Sequence, residues 1–188
     1  MSSEFIYHPR ALMHDFDWVH MHWVGQWLYT VIQGTQEERA PGVYVWNLDS
    51  LSVQAQALTQ DDVMAAAEEL ASAGYLMVDE RSNECYLRKF LYYDNFIKAP
   101  NMLVNLTTRI LSVASWEVRS AIVSDLRVLR DMYPDLSGWK RPKVSELLKA
   151  SYETPKHAWF DARGRGVVGY EQSKKLDIPE GVSDPKND

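Results

Sequence analysis

Apolar positions recur at helical spacing from Asp17 onward. Val24, Leu28 and Val31 form one stripe, with Trp23 and Trp27 beside it and Gly34 as a stop. Residues 1–16 show no such period and read as an irregular lead-in. Gln36 to Pro41 reads as a charged turn, and Gly42-Val43-Tyr44-Val45-Trp46 is short, β-branched and aromatic, which predicts a strand. Asp49 is placed to cap a short helix running to about Leu58. Thr59 is the next cap, with Asp62 three residues on, the spacing of a capping box. The helix it opens carries Val63, Ala67 and Leu70 on one face and stops at Gly74. Tyr75 to Val78 and Cys85 to Leu91 read as two strands of a hairpin, and Asn83 supplies the left-handed residue of its turn. Leu103, Leu106, Ile110 and Val113 mark a further helix. Ser115 caps a longer one, with Val118, Ile122, Leu126, Leu129 and Tyr133 inward and Pro134 at its end. Residues 142–150 predict a last short helix, through Val144, Leu147 and Leu148. Beyond Ser151 the chain is rich in Gly, Pro, Lys and Asp, and Leu176 to Asp188 has little to bury.

The central order is helix, strand, helix, helix, hairpin. That order predicts an α+β, mainly helical chain: a winged helix-turn-helix domain over 17–98 with a small β-hairpin wing, a helical extension over 99–150, and a basic, then disordered, flexible tail over 151–188. In that plan the helix Gln60 to Ala73 would enter the major groove.

Local residues carry a family resemblance over about residues 17–130. They are Leu28-Tyr29, Ala40-Pro41-Gly42-Val43-Tyr44, Thr59-Gln60-Asp61-Asp62-Val63, Leu70-Ala71-Ser72-Ala73-Gly74, Val78 to Glu84, Leu87-Arg88-Lys89-Phe90 and Lys98-Ala99-Pro100-Asn101. Together they resemble the winged helix-turn-helix proteins of actinobacterial phages and prophages, which are similar in plan to the N-terminal domains of DnaD-type replication initiators. Asn83 departs from the Gly expected in the hairpin turn. The resemblance implies a DNA-linked role in phage replication or transcription control.

Composition changes the picture in three places. The 188 residues suit one domain, or one domain with an appendage, and seven Trp and ten Tyr offer large apolar area to a core or an interface. The single cysteine, Cys85, cannot form a disulfide within the chain and reads as a buried small hydrophobe. With no basic-apolar leader at Met1 to Phe5 and no apolar run near the roughly 18 residues that span a bilayer, the expectation is a cytoplasmic protein with no membrane contact. Net charge is −6, but unevenly spread: residues 1–100 carry 6 basic and 14 acidic groups, whereas residues 139–175 carry 9 and 4. A polyanion should therefore prefer the C-terminal third.

Candidate chemistry follows that charge. The outward face of the third helix should present Asp61, Asp62, Met64, Ala65, Glu68, Glu69 and Ser72, with only Gln60 suited to an adenine edge. The wing and its exit carry Arg81, Arg88, Lys89 and Lys98. Arg88 and Lys89, being adjacent on a strand, should point to opposite faces. Trp139-Lys140-Arg141-Pro142-Lys143, with Lys149, Lys156, Trp159, Arg163 and Arg165, combines cations with rings that could stack on bases. His14, His20 and His22 lack a second cluster to complete a metal site. Signatures of nucleotide binding, zinc proteolysis and serine hydrolysis are missing, so neither enzyme activity nor a cofactor is expected. The leading expectation is a protein that binds duplex DNA mainly through its backbone and recruits a replication or host protein. The alternatives are a protein-interaction module, such as a host-takeover or immunity factor, that does not bind DNA, and a homodimeric repressor that pairs through helix 116–133.

Overall fold

Local capping sets most element boundaries in the computed structural model, which describes residues 10–93, 95–98 and 100–169. Nine α-helices are formed there: α1 (Arg10–Met13), α2 (Phe16–His20), α3 (Trp23–Thr35), α4 (Leu48–Ser52), α5 (Gln60–Ser72), α6 (Phe90–Tyr93), α7 (Pro100–Ile110), α8 (Trp116–Met132) and α9 (Pro142–Lys149). Single 3₁₀ turns cover Asn95–Lys98 and Ser137–Lys140. Six strands are β1 (Glu38–Ala40), β2 (Val43–Val45), β3 (Leu76–Asp79), β4 (Glu84–Leu87), β5 (His157–Phe160) and β6 (Gly166–Gly169).

The capping box at α5 forms as expected. Asp62 N–H donates to Thr59 Oγ1 at 3.2 Å, and Thr59 N–H donates back to the Asp62 carboxylate at 2.8 Å. Thr59's amide and hydroxyl hold that carboxyl below its usual range. Ser115 Oγ accepts from Val118 N–H at 3.1 Å and opens α8. Asn83 takes φ 51° in the hairpin turn and Gly74 takes φ 77° after α5. The predicted first helix is broken at Met21 and His22, which divide it into α2 and α3; the cap of α4 is Asn47 rather than Asp49.

The strands form one sheet in the order β1-β2-β4-β3-β5-β6, antiparallel throughout except for the parallel pair β3–β5. Successive side chains enter two different cores, because a strand alternates faces with period two. Leu76 and Val78 of β3, and Cys85 and Leu87 of β4, face the core built with Leu28, Ile32, Val63 and Leu70 of α3 and α5. Met77 and Tyr86 face the core built with Leu106, Ile122, Leu126 and Leu148 of α7, α8 and α9. The result is a sheet with helices on both faces. Cys85 is fully buried, and burial pushes its thiol far up.

Three expectations change. Glu38–Ala40 is a short edge strand rather than a turn. The segment 99–150 is not an appendage: its helices cover the sheet's second face, and Val118, Ile122, Val123, Leu126 and Leu129 of α8 are buried there. That face of α8 is therefore closed to homodimerisation. Within the predicted flexible tail, residues 157–169 are not loose, because β5 and β6 extend the sheet beside β3. Trp159 is 2% exposed and meets Trp46 edge-on at 5.3 Å. Leu176 to Asp188 lies outside the described residues. No helix among those described is long and apolar enough to cross a membrane.

Candidate nucleic-acid interface

The structure divides nine of the ten candidate contact residues into three groups and leaves Gln60 apart on α5. The first is held in the interior. Arg88 is buried and donates through Nε and Nη2 to the equally buried Asp125 of α8, whose carboxylate also accepts from the Tyr86 hydroxyl at 3.1 Å. Burial opposes the guanidinium's charge, and Asp125 overrides it, so Arg88 stays cationic. Lys89 turns the other way; β4 ends at Leu87, so the two residues diverge from the turn before α6 and not from the strand predicted to run to Leu91. Its Nζ lies 2.6 Å from Asp15 and 3.9 Å from the centre of the Tyr75 ring. The same carboxylate accepts from the Tyr75 hydroxyl and caps α2 through Asp17 N–H at 3.1 Å. Arg88 and Lys89 are therefore corrected from phosphate contacts to ties that pin the hairpin exit to the helices on either face.

The second group meets at the tip of the β3–β4 hairpin. Arg81 lies 3.3 Å from Asp79 and 2.8 Å from Glu117 of α8, and both carboxylates raise its already high pKa. The β5–β6 turn comes alongside: a Cβ on Gly164, which has φ +76°, would sit 2.6 Å from Arg81 Nη1. Glu80 fastens that turn by accepting from Trp159 Nε1 at 2.9 Å and from Ala162 N–H at 3.0 Å. Within the turn, Asp161 accepts from the amides of Arg163 and Arg165 and pairs with the Arg165 side chain at 2.7 Å. Arg165, through its amide and then its guanidinium, holds the Asp161 carboxyl below its usual range. Arg81, Arg163 and Arg165 thus share one corner with Asp79, Glu80, Glu117 and Asp161, and the local charges nearly cancel.

Lys98, Lys140, Arg141 and Lys143 form the third group. The 3₁₀ turn Ser137–Lys140 packs on the start of α7: a Cβ on Gly138 would lie 3.5 Å from Pro100 Cα and 2.5 Å from Leu103 Cδ1. Lys98 is two residues from Pro100 and Lys140 two residues from Gly138. All four cations are exposed, and among the described residues no ion pair engages them. Pro100 and Pro142 begin their helices here, so two helix N-termini add partial positive charge.

Helix α5 carries no cation. Gln60 is exposed, but its Nε2 donates to Asp49 at 2.6 Å. Asp61, Ala65, Glu68 and Ser72 make an exposed stripe along α5, and Glu69 accepts the His22 amide at 2.9 Å, closing the N-terminus of α3. The proposed stacking rings are displaced as well. Trp139 is buried and donates to Tyr133 O at 2.7 Å, and Trp159 lies in the core. An open ring on α8 is Trp116, half exposed, stacked on Tyr152 at 4.6 Å with the Arg119 guanidinium 5.5 Å away. Its sequence signal was an aromatic just after the Ser115 cap, opposite the stripe that α8 buries. Comparison of the chain with family models, with curated proteins and with solved structures finds no match.

Proposed function

We propose that this protein is a winged-helix nucleic-acid-binding adaptor of the phage type, acting in replication initiation or transcription control, and that it grips backbone phosphates with Lys98, Lys140, Arg141 and Lys143. The plan is supported by strand order: β2, which lies between α3 and α4 in the chain, pairs with the β3–β4 hairpin that follows α5, the arrangement of a strand paired with a wing. The observation that carries the binding surface is the meeting of two cation-bearing segments at the Gly138–Pro100 contact, with no ion pair to their cations among the described residues. Four exposed cations on two segments that touch suit a polyanion and carry no sequence information by themselves. The acidic α5 stripe points the same way, since phosphate repulsion there disfavours insertion in a major groove.

The test is a fluorescence-anisotropy titration against random duplex and single-stranded DNA at two salt concentrations. Binding that weakens steeply with salt is expected, and the preferred strand form separates replication from regulation. No binding to either at low salt overturns the proposal. A second reading, a protein-interaction module without DNA binding, is favoured by one observation: Met13, Phe16, Val19 and Trp23 are 45%, 73%, 57% and 59% exposed.

A further inference from the structure

Those four large apolar side chains fall within eleven consecutive positions and stand on a well-fastened base. Asp15 caps α2, Gln26 Nε2 donates to Trp18 O at 2.7 Å, and Trp18 is buried edge-on against Tyr29 at 5.2 Å. Met21 packs so closely under α3 that a Cβ on Gly25 would meet its Sδ at 2.9 Å. The scaffold is therefore rigid, and the exposed side chains are presented by it. Phe16 stacks on His20 at 4.1 Å, which keeps the ring at the surface. Large apolar side chains left exposed within one short stretch mark a candidate interaction site.

Charge narrows the occupant. Helix α5 carries four carboxylates and no Lys or Arg. The link from His22 N–H to Glu69 brings α5, with Asp61 and Glu68 exposed along it, against the start of α3 beside Trp23. Such a rim repels nucleic acid and anionic lipid and attracts cations. We infer that this face receives a basic amphipathic helix of another protein, with apolar anchors on Phe16, Val19 and Trp23 and Lys or Arg side chains along the α5 stripe. This surface does not depend on phosphate binding at the opposite cationic cluster, and it gives the adaptor its second hand.

The experiment uses the full chain and a labelled helical peptide of about 18 residues built from Leu and Lys at helical period, with a Leu/Glu peptide of the same apolar pattern as control. Wild type should bind the Leu/Lys peptide. Phe16→Ser with Val19→Ser should weaken that binding about tenfold or more. Asp61→Asn with Glu68→Gln should weaken it severalfold and flatten its salt dependence. All four positions are exposed, so far-UV circular dichroism should stay unchanged, as should DNA titration of the apolar variant. The inference is overturned if wild type ignores the Leu/Lys peptide, if the apolar variant or the Leu/Glu peptide binds as tightly, or if binding appears only after residues 1–9 are removed. A concentration-dependent dimer in sedimentation that the apolar variant abolishes also overturns it, by assigning the face to a second copy.

Discussion

Two cationic regions of this protein differ in what surrounds them. Around the β3–β4 hairpin, Arg81, Arg88, Lys89 and Arg165 each sit within ion-pair distance of a carboxylate. At the junction of α7 and α9, Lys98, Lys140, Arg141 and Lys143 have none among the described residues. Glu84 adds to the first pattern, accepting the amides of Ala114 and Ser115 at 3.0 and 2.8 Å and so fastening the hairpin to the start of α8. Cations of the first kind hold the architecture together, and cations of the second kind remain open to a ligand. Removing a charge should therefore damage stability in one region and binding in the other.

The largest effect is expected from Asp125→Ala. It leaves the Arg88 guanidinium buried without its partner and should lower stability by about 3–5 kcal/mol in urea unfolding. Trp159→Ala comes next, at about 3 kcal/mol or slightly more, because this residue belongs to the core; a change within about 0.5 kcal/mol would mean that β5 contributes little. The triple change Lys140→Ala, Arg141→Ala, Lys143→Ala should lower the salt slope of duplex binding by about 1 per residue. Its unfolding midpoint should stay near wild type, and a large stability loss would erase the contrast between the two regions. The smallest effect is a pH dependence. The folded-state pKa of Asp161 is depressed, so its contribution is present above the unfolded value of roughly 3.9 and is lost as pH falls through the folded value. Wild type should then lose more stability than Asp161→Asn on acidification below about pH 4, as followed by urea titration at several pH values.

Short-range signals were legible in the sequence. The Thr59–Asp62 box, the Ser115 cap and the left-handed Asn83 each involve residues within a few positions, and local geometry was enough to place them. Arg88 and Lys89 do diverge, but from the turn after β4 rather than from the predicted strand, and their destinations were not readable. Asp125 lies 37 positions from Arg88 and Asp15 lies 74 from Lys89. One hint was present: Asp125 falls on the apolar stripe of α8 between Ile122 and Leu129, and a carboxylate there needs a buried cation. The strands β5 and β6 escaped notice because their Gly and charged neighbours lower strand propensity. They are strands because β3 offers an edge and Trp46 offers a ring for Trp159. For the candidate interface, the sequence supplied the four cations but not the Gly138–Pro100 contact that joins them.

The parallel pairing of β3 with β5 also bears on how the chain is made. Val78 lies opposite Trp159, 81 positions later in the sequence, and all of α6 to α9 intervenes. A ribosome adding about 5–20 residues per second needs roughly 4–16 s to cover that stretch. Throughout that interval β3 has one unpaired flank, and its partner does not yet exist. Hairpin β3–β4 can close early, whereas the far half of the sheet must wait for distant chain to return. Such long-range closure slows folding and leaves a nascent edge open to wrong partners. Chaperone demand during synthesis should accordingly be concentrated between the emergence of Asp79 and that of Phe160.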